Sequence, residues 1–427
     1  MPPKLYPRLM LALLTGLNIL NYIDRNVLFA VQSDIKKEFA ATDTQIGFLT
    51  SAFFFTYMFA APLVGWMGDR YPRKNILVFG IFIWSGFTLL TLFVHDYAQL
   101  LLRHSIVGIG EASYATIAPT LIADSFSAEK RGKMLSIFYV GLPVGSAAGY
   151  LVGGYFAHHF GWRMPFMVAG APGFLLALTL WFLPEPERGQ SEKHVAANFR
   201  SDLAGLWKNG AFVTASLSMA MYTFAVGGLQ TWIPTFLVRL RGQNLESANF
   251  RFGMITLFNG IAATLLGGWI GDRLLKRYFG AYYTFPGIAM LIGVPFMALA
   301  IYATGSLLFP AIFMAVFFLL IGTGPTNAAL VNSVSPAIRS SALAVNVFVI
   351  HLLGDAFSPW LIGRISDKTS LPTAFSVTYL AAALSGVILI YGARYAPRLL
   401  VSAARSVPPA APPFVPPPPP PPVPMSS

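Results

Sequence analysis

The chain has no cysteine among its 427 residues. That excludes disulfides, thiolate metal sites and cysteine nucleophiles. Charge is scarce too. Asp, Glu, Lys and Arg make up 11% of the residues, against 55% hydrophobic, and the mean hydropathy is +0.62. A water-soluble protein of this size has nowhere to hide so much apolar surface. Lipid is the expected solvent. No H-E-x-x-H zinc helix, Walker glycine loop or G-x-S-x-G elbow occurs in the sequence. An enzyme is therefore not expected, and neither is a cofactor or a resident metal. Lack of an ATP loop also excludes ATP-driven pumping by this chain. Secondary transport or facilitated diffusion remains.

The apolar residues fall into blocks. Twelve spans of roughly 20 residues can be laid out by hydropathy. They cover 9–31, 46–67, 75–95, 98–124, 133–157 and 163–183, then 209–238, 250–271, 282–303, 307–333, 340–364 and 371–396. Asn18, Asn21, Asp24 and Arg25 interrupt the first, and no small-residue cleavage site follows it, so it reads as a retained span rather than a signal peptide. The longest polar stretch lies between the sixth and seventh spans. The predicted organisation is a six-helix bundle over 1–183, a linker over 184–208, a second bundle over 209–396 and a tail over 397–427. Prolines fill positions 416–422. That run is predicted to be extended polyproline II in a disordered tail, and it also suits a partner's groove.

A repeat supports the two halves. Gly65-Trp66-Met67-Gly68-Asp69-Arg70 recurs as Gly268-Trp269-Ile270-Gly271-Asp272-Arg273. Each copy ends an apolar stretch and begins a basic one. Two related halves in a membrane protein place a binding site between them. The fold class expected is thus all-α, with twelve transmembrane helices in two pseudo-symmetric six-helix bundles. Net charge is +12, but the basic residues sit between apolar spans, so nucleic acid is not an expected partner. Most of the 29 Lys and Arg fall in loops on one side. The positive-inside rule then puts both termini in the cytoplasm, with the chain in the plasma (inner) membrane. A monomer is expected.

Charges inside the spans mark the candidate site. Asp24 and Arg25 sit within the first span, where a charge costs several kcal/mol unless it lines a wet cavity or finds a partner. Arg103, in the fourth span, lies about 7 Å below the outer surface at 1.5 Å per residue. Asp24 lies roughly 22 Å up from the inside, in a core about 30 Å thick. The depths match, and an Asp24–Arg103 contact is expected. Such a pair is either structural or handles substrate or protons, and the second reading is favoured. Glu111 lies deeper, near mid-membrane, where desolvation disfavours a charged carboxylate. That suits a proton-coupling group, although a hydrogen-bonded Glu that only packs helices is the alternative. Gly141, Gly145, Gly149 and Gly153 recur every four residues, a smooth stripe for tight packing or for sliding. His351 and Asp355, four apart on one face, form a possible second titrating pair. Tyr222, Gln230, Trp232, Asn327 and Asn332 are candidates to line a cavity.

Gly65-Trp-Met-Gly-Asp69-Arg70-Tyr-Pro72-Arg73-Lys74 resembles the loop 2–3 signature of the major facilitator superfamily, and the second copy occupies the equivalent loop 8–9. Pro72 stands where that signature carries its second glycine. The resemblance implies an inner gate built from Asp69, Arg70, Arg73 and Arg131, with Asp272 and Arg273 in the second half. Asn21-Tyr22-x-Asp24-Arg25, Gly108-x-Gly110-Glu111-Ala112-Ser113-Tyr114 and the run from Arg131 to Ser146 together look like the Spinster group. Its members are implicated in moving sphingolipids and lysophospholipids coupled to protons. The resemblance implies a proton-coupled, alternating-access transporter of an amphipathic lipid-like substrate. Its partners would be membrane lipids, a small amphipathic or anionic substrate, and protons. Sugar-acid and other organic-anion symporters have a similar first helix, so a soluble organic anion is the alternative substrate. A scaffold or receptor acting through the proline-rich tail is the second alternative.

Overall fold

The computed structural model describes residues 5–126, 128–186, 205–334 and 338–397. Linker residues 187–204 and the tail beyond residue 397, with its proline run, lie outside them. Among the described residues every regular element is helical. Helices suit lipid because they satisfy all their backbone polar groups internally.

Among the described residues, twelve long helices run through the structure. The first half holds α1 (Leu5–Glu38), α2 (Asp43–Arg70), α3 (Arg73–Phe93), α4 (Tyr97–Ser125), α5 (Lys133–Phe160) and α6 (Met164–Trp181). The second half holds α7 (Gly210–Arg241), α8 (Leu245–Leu275), α9 (Ala281–Tyr302), α10 (Gly305–Asn332), α11 (Ala342–Lys368) and α12 (Leu371–Tyr395). Those from α2 to α12 are long and apolar enough to cross a membrane. With 34 residues α1 is long enough too, but Asn18, Asn21, Asp24, Arg25 and Asn26 dilute its hydropathy.

Polar residues start the helices. Thr42 accepts from the Gln45 amide at 3.1 Å while the Gln45 side chain accepts from the Thr42 amide at 2.9 Å, a reciprocal cap on α2. Asp96, Asn209 and Asn244 cap α4, α7 and α8 without the reciprocal bond, each side chain accepting from backbone N–H of the first turn. Gly242, at φ 62°, ends α7 in the left-handed conformation. Helix ends differ from the hydropathy spans where a helix outlasts its apolar stretch. Thus α1 continues past residue 31 to Glu38, through Lys36 and Lys37. Hydropathy reports where lipid ends, and the backbone ladder does not stop there.

The halves form two bundles. In the first, α1 packs on α5 and α4 packs on both α2 and α3. The glycine stripe explains the α1–α5 contact. A Cβ on Gly145 would lie 2.5 Å from the Ile19 carbonyl, and one on Gly149 2.6 Å from Asn26 Cβ. The stripe therefore lets α5 seat on α1 within one bundle. Between the bundles, α2 meets α11, α5 meets α8 and α1 meets α7.

The bundles are closed together on one side. Call the side bearing Gly65–Arg70 and Gly268–Arg273 the motif face. On the opposite face, Asp43 Oδ1 pairs with Arg239 Nη1 at 2.7 Å and with Lys36, and Ser366 donates to Asp43 Oδ2 at 2.6 Å. Asp367 in turn accepts from the amides of Asp43 and Thr44, each at 2.8 Å. A Cβ on Gly363 would sit 2.1 Å from the Asp43 carbonyl, so only glycine permits that approach. Toward the motif face the bundles enclose a cavity of about 400 Å³ between α2, α4 and α11.

Candidate functional site

The site lies halfway through the bundles. Glu111 is the central residue of α4 and is completely buried. Its Oε2 accepts from Arg25 Nε of α1 at 2.6 Å. The Arg25 guanidinium is surrounded by ring faces, with centroids of Tyr57, Phe53, Tyr22 and Phe54 at 5.1, 5.1, 5.3 and 5.9 Å. A cation so placed is held by one carboxylate and by ring quadrupoles. The other carboxylate oxygen, Oε1, is buried as well.

The aromatic residues of α2 join this pair to the second bundle. His351 stacks on Phe54 at 5.7 Å and meets Tyr57 edge-on at 5.3 Å. Its Nδ1 lies 2.9 Å from Asp355 Oδ1, as the four-residue spacing predicts. Both belong to a π-helical turn, His351–Asp355, with Gly354 at φ −106° and ψ −108°. Such insertions in a helix often mark working sites. Arg25–Glu111 of one bundle and His351–Asp355 of the other therefore share two rings. His351 and Tyr57 also line the cavity, whose remaining walls are mainly apolar, among them Met58, Pro62, Val347 and Phe348.

The expected Asp24–Arg103 contact is not formed. Asp24 Oδ2 accepts from Thr88 Oγ1 of α3 at 2.6 Å, and Arg103 donates to the Leu90 carbonyl at the end of α3. Depth alone misled. Arg103 and Glu111 are eight residues apart on α4, about 80° around the helix, so they do not share a face. His104, seven before Glu111, does share it. It is buried and stacks on Phe53 at 5.2 Å, against the ring that carries Arg25. Seven-residue spacing was the signal that could have found His104. Nothing in the sequence distinguished Phe53, Phe54 and Tyr57 from the other aromatics.

The motif-face residues form two separate clusters. Arg73 Nη1 pairs with Asp124 at 2.7 Å, and its Nε lies 3.6 Å from Glu185. Glu185 also accepts from the Arg73 and Lys74 amides at 2.9 and 3.3 Å, so it caps α3. Asp69 stands in the last turn of α2, and Arg131 lies in the helix that leads into α5. In both copies of the repeat the arginine stands over the tryptophan four residues before it. Arg70 is 4.2 Å from the Trp66 ring and Arg273 5.4 Å from Trp269. Asp272 accepts from Tyr282 Oη at 2.7 Å. Sequence reading missed Asp124 and Glu185, and also the Asp43–Arg239–Asp367 network, since these partners lie far apart in the chain. Among the other candidates, Trp232 is buried and donates to the Pro359 carbonyl at 3.0 Å, while Asn327 bonds back to its own helix at 2.9 Å. Neither lines the cavity between α2, α4 and α11.

Comparisons with known proteins agree with this fold. The Major Facilitator Superfamily model matches residues 14–359. The chain belongs to the major facilitator superfamily, and it is a transporter rather than an enzyme. Within it the similarity narrows further. Protein spinster homolog 1 of Xenopus laevis is 38% identical over 375 residues, covering 82% of this chain and 71% of the relative. The Homo sapiens protein of the same name is 37% identical over 385 residues, covering 84% and 73%. These place the chain among the Spinster proteins. A bacterial homologue of the human lysosomal transporter Spinster, solved inward-facing and unoccupied, superposes with a TM-score of 0.79 at 23% identity, over 94% of this chain and 97% of that one. A D-xylose–proton symporter superposes at 0.76 and 18% identity, over 92% and 98%. At such identities the structural matches speak for the fold alone.

Proposed function

We propose that the chain is a proton-coupled, alternating-access transporter of an amphipathic, lipid-like anion such as a lysophospholipid. The observation that carries this is Arg25, shared between Glu111 and an aromatic box that touches His351 of the other bundle, beside an apolar cavity. A proton on Glu111 weakens its hold on Arg25 and leaves the guanidinium for an anionic headgroup. Departure of the headgroup, with release of the Glu111 proton to water, restores the pair. Because Tyr57 and Phe54 touch both charged clusters, the change at Arg25 is felt by both bundles, and protonation then favours one of two arrangements. In this reading the motif face is cytoplasmic, so the cavity faces the cytoplasm. Its gate comprises Asp69, Arg70, Arg73, Arg131, Asp272 and Arg273. The transporter acts as a monomer in the plasma membrane.

The cavity walls favour lipid over sugar acid. An acyl chain moves there from one apolar medium to another. A sugar acid would leave hydroxyls unpaired, at about 1–3 kcal/mol each. Flux into proteoliposomes, with and without a pH gradient, tests the proposal on a panel of lysophospholipids, sphingoid lipids and sugar acids. Gradient-dependent flux of a lipid, lost in Asp24→Asn and Glu111→Gln, is expected. Full gradient-driven transport in both variants would sink the coupling assignment. Flux of sugar acids alone would sink the substrate assignment.

A further inference from the structure

The seam between α5 and α8 on the opposite face carries a cluster outside the transport site. His158 and His159 occupy the last turn of α5, and Glu246 the first turn of α8. His159 Nε2 lies 3.5 Å from Glu246 Oε2. The rings of His158 and His159 converge, with centroids 5.0 Å apart and planes at 81°. One donor atom from each of the three residues lies within 4.8 Å of the others. Ligands at about 2.0–2.1 Å from a tetrahedral zinc stand roughly 3.4 Å from one another. The His159–Glu246 separation already matches, and both histidines are exposed.

We propose that His158, His159 and Glu246 bind a divalent transition metal, and that the metal staples the two bundles together at this face. Two imidazoles and a carboxylate select zinc over magnesium or calcium, which prefer all-oxygen shells. The ligands come from both bundles, and no slack separates them. A Cβ on Gly154 would lie 2.7 Å from Asn249 Cβ and 3.3 Å from Glu246 Cα. Opening this face must pull α5 from α8 and break the site. Zinc therefore binds the closed arrangement and disfavours the opened one. This consequence rests on alternating access, whereas the site itself does not.

Zinc chloride titrated calorimetrically into the purified full chain tests the site, and thiol labelling tests the staple. With no natural cysteine, Thr235→Cys places a single thiol at the buried α1–α7 seam, beside Gln32. One zinc per chain is expected. His159→Ala and Glu246→Gln should each weaken it by more than about tenfold, the least that loss of even an outer-shell partner costs. Zinc at about ten times its Kd should slow labelling of the Thr235→Cys variant roughly tenfold, and magnesium should not. The slowing should vanish when His159→Ala is added. Failure to bind zinc, or binding unchanged in both ligand variants, overturns the site. Binding with labelling unaffected overturns the staple while leaving alternating access to be judged by flux.

Discussion

Glu111 and Arg25 make the strongest test of the physical reasoning. Glu111 is wholly buried and the Arg25 side chain is 13% exposed. Removing one member of a buried pair leaves the other charge uncompensated and costs about 3–5 kcal/mol. The two sides of this pair are not equivalent. In Glu111→Gln the arginine remains charged, since a guanidinium does not give up its proton. Its four ring faces remain, each worth up to ~2 kcal/mol to a desolvated cation, so about 3 kcal/mol is expected, the low end of the range. In Arg25→Met the carboxyl can take up a proton and escape the charge penalty. Its cost should be smaller and should shrink as pH falls, because only the ionised form is penalised. The double variant buries no charge and should lie within about 1 kcal/mol of the parent, as replaced buried pairs do. A coupling of at least ~2 kcal/mol between the two positions follows. Denaturant unfolding of the purified protein in detergent, followed by tryptophan fluorescence, supplies the four stabilities. Additive single costs, or Arg25→Met being the more damaging, would refute the account.

Further outcomes follow from the same geometry. Arg103→Ala should cost under about 1 kcal/mol and show no coupling to Asp24→Asn in a double-mutant cycle, whereas Thr88→Val should couple to it by roughly 1 kcal/mol; strong coupling of Arg103 to Asp24 would contradict the observed partners. Arg239→Ala takes from Asp43 a charged partner that joins the bundles. A loss of about 1.5 kcal/mol should speed labelling of the thiol in a Thr235→Cys background roughly tenfold, and unchanged labelling would mean that this pair does not hold the face closed. Gly363→Val drives a side chain into the Asp43 carbonyl, so the same labelling should rise, or stability should fall by about 1–3 kcal/mol. Deleting residues 406–427 should leave proteoliposome flux intact, and loss of flux would favour a scaffold role for the tail.

The site was partly legible in the sequence. Arg25 and Glu111 announced themselves as charges in apolar spans, and His351–Asp355 as a four-residue pair. Their partners did not. Asp24 and Arg25 are adjacent and point about 100° apart, so one reaches Thr88 on α3 and the other Glu111 on α4. That choice depends on how α1 is rotated, which its seat on the α5 glycines settles. Matching depths could not supply a rotation, and the proposed Asp24–Arg103 contact failed for that reason. The network around Asp43 was hidden differently. Thr42-x-x-Gln45 reads as a helix start, which it is. Nothing local tells that the next residue meets Arg239 and Ser366 of the other bundle.

By itself the sequence determined the solvent, the number of crossings and the doubling of the chain. These follow from hydropathy summed over 20-residue blocks and from a repeated hexapeptide, and both signals are local or additive. Tertiary structure decided which buried charges meet, which face of the molecule is closed, and that one aromatic box serves both bundles. Those are pairwise contacts between helices far apart in the chain. They depend on rotation and approach to within an ångström, which a one-dimensional pattern of apolar residues does not encode.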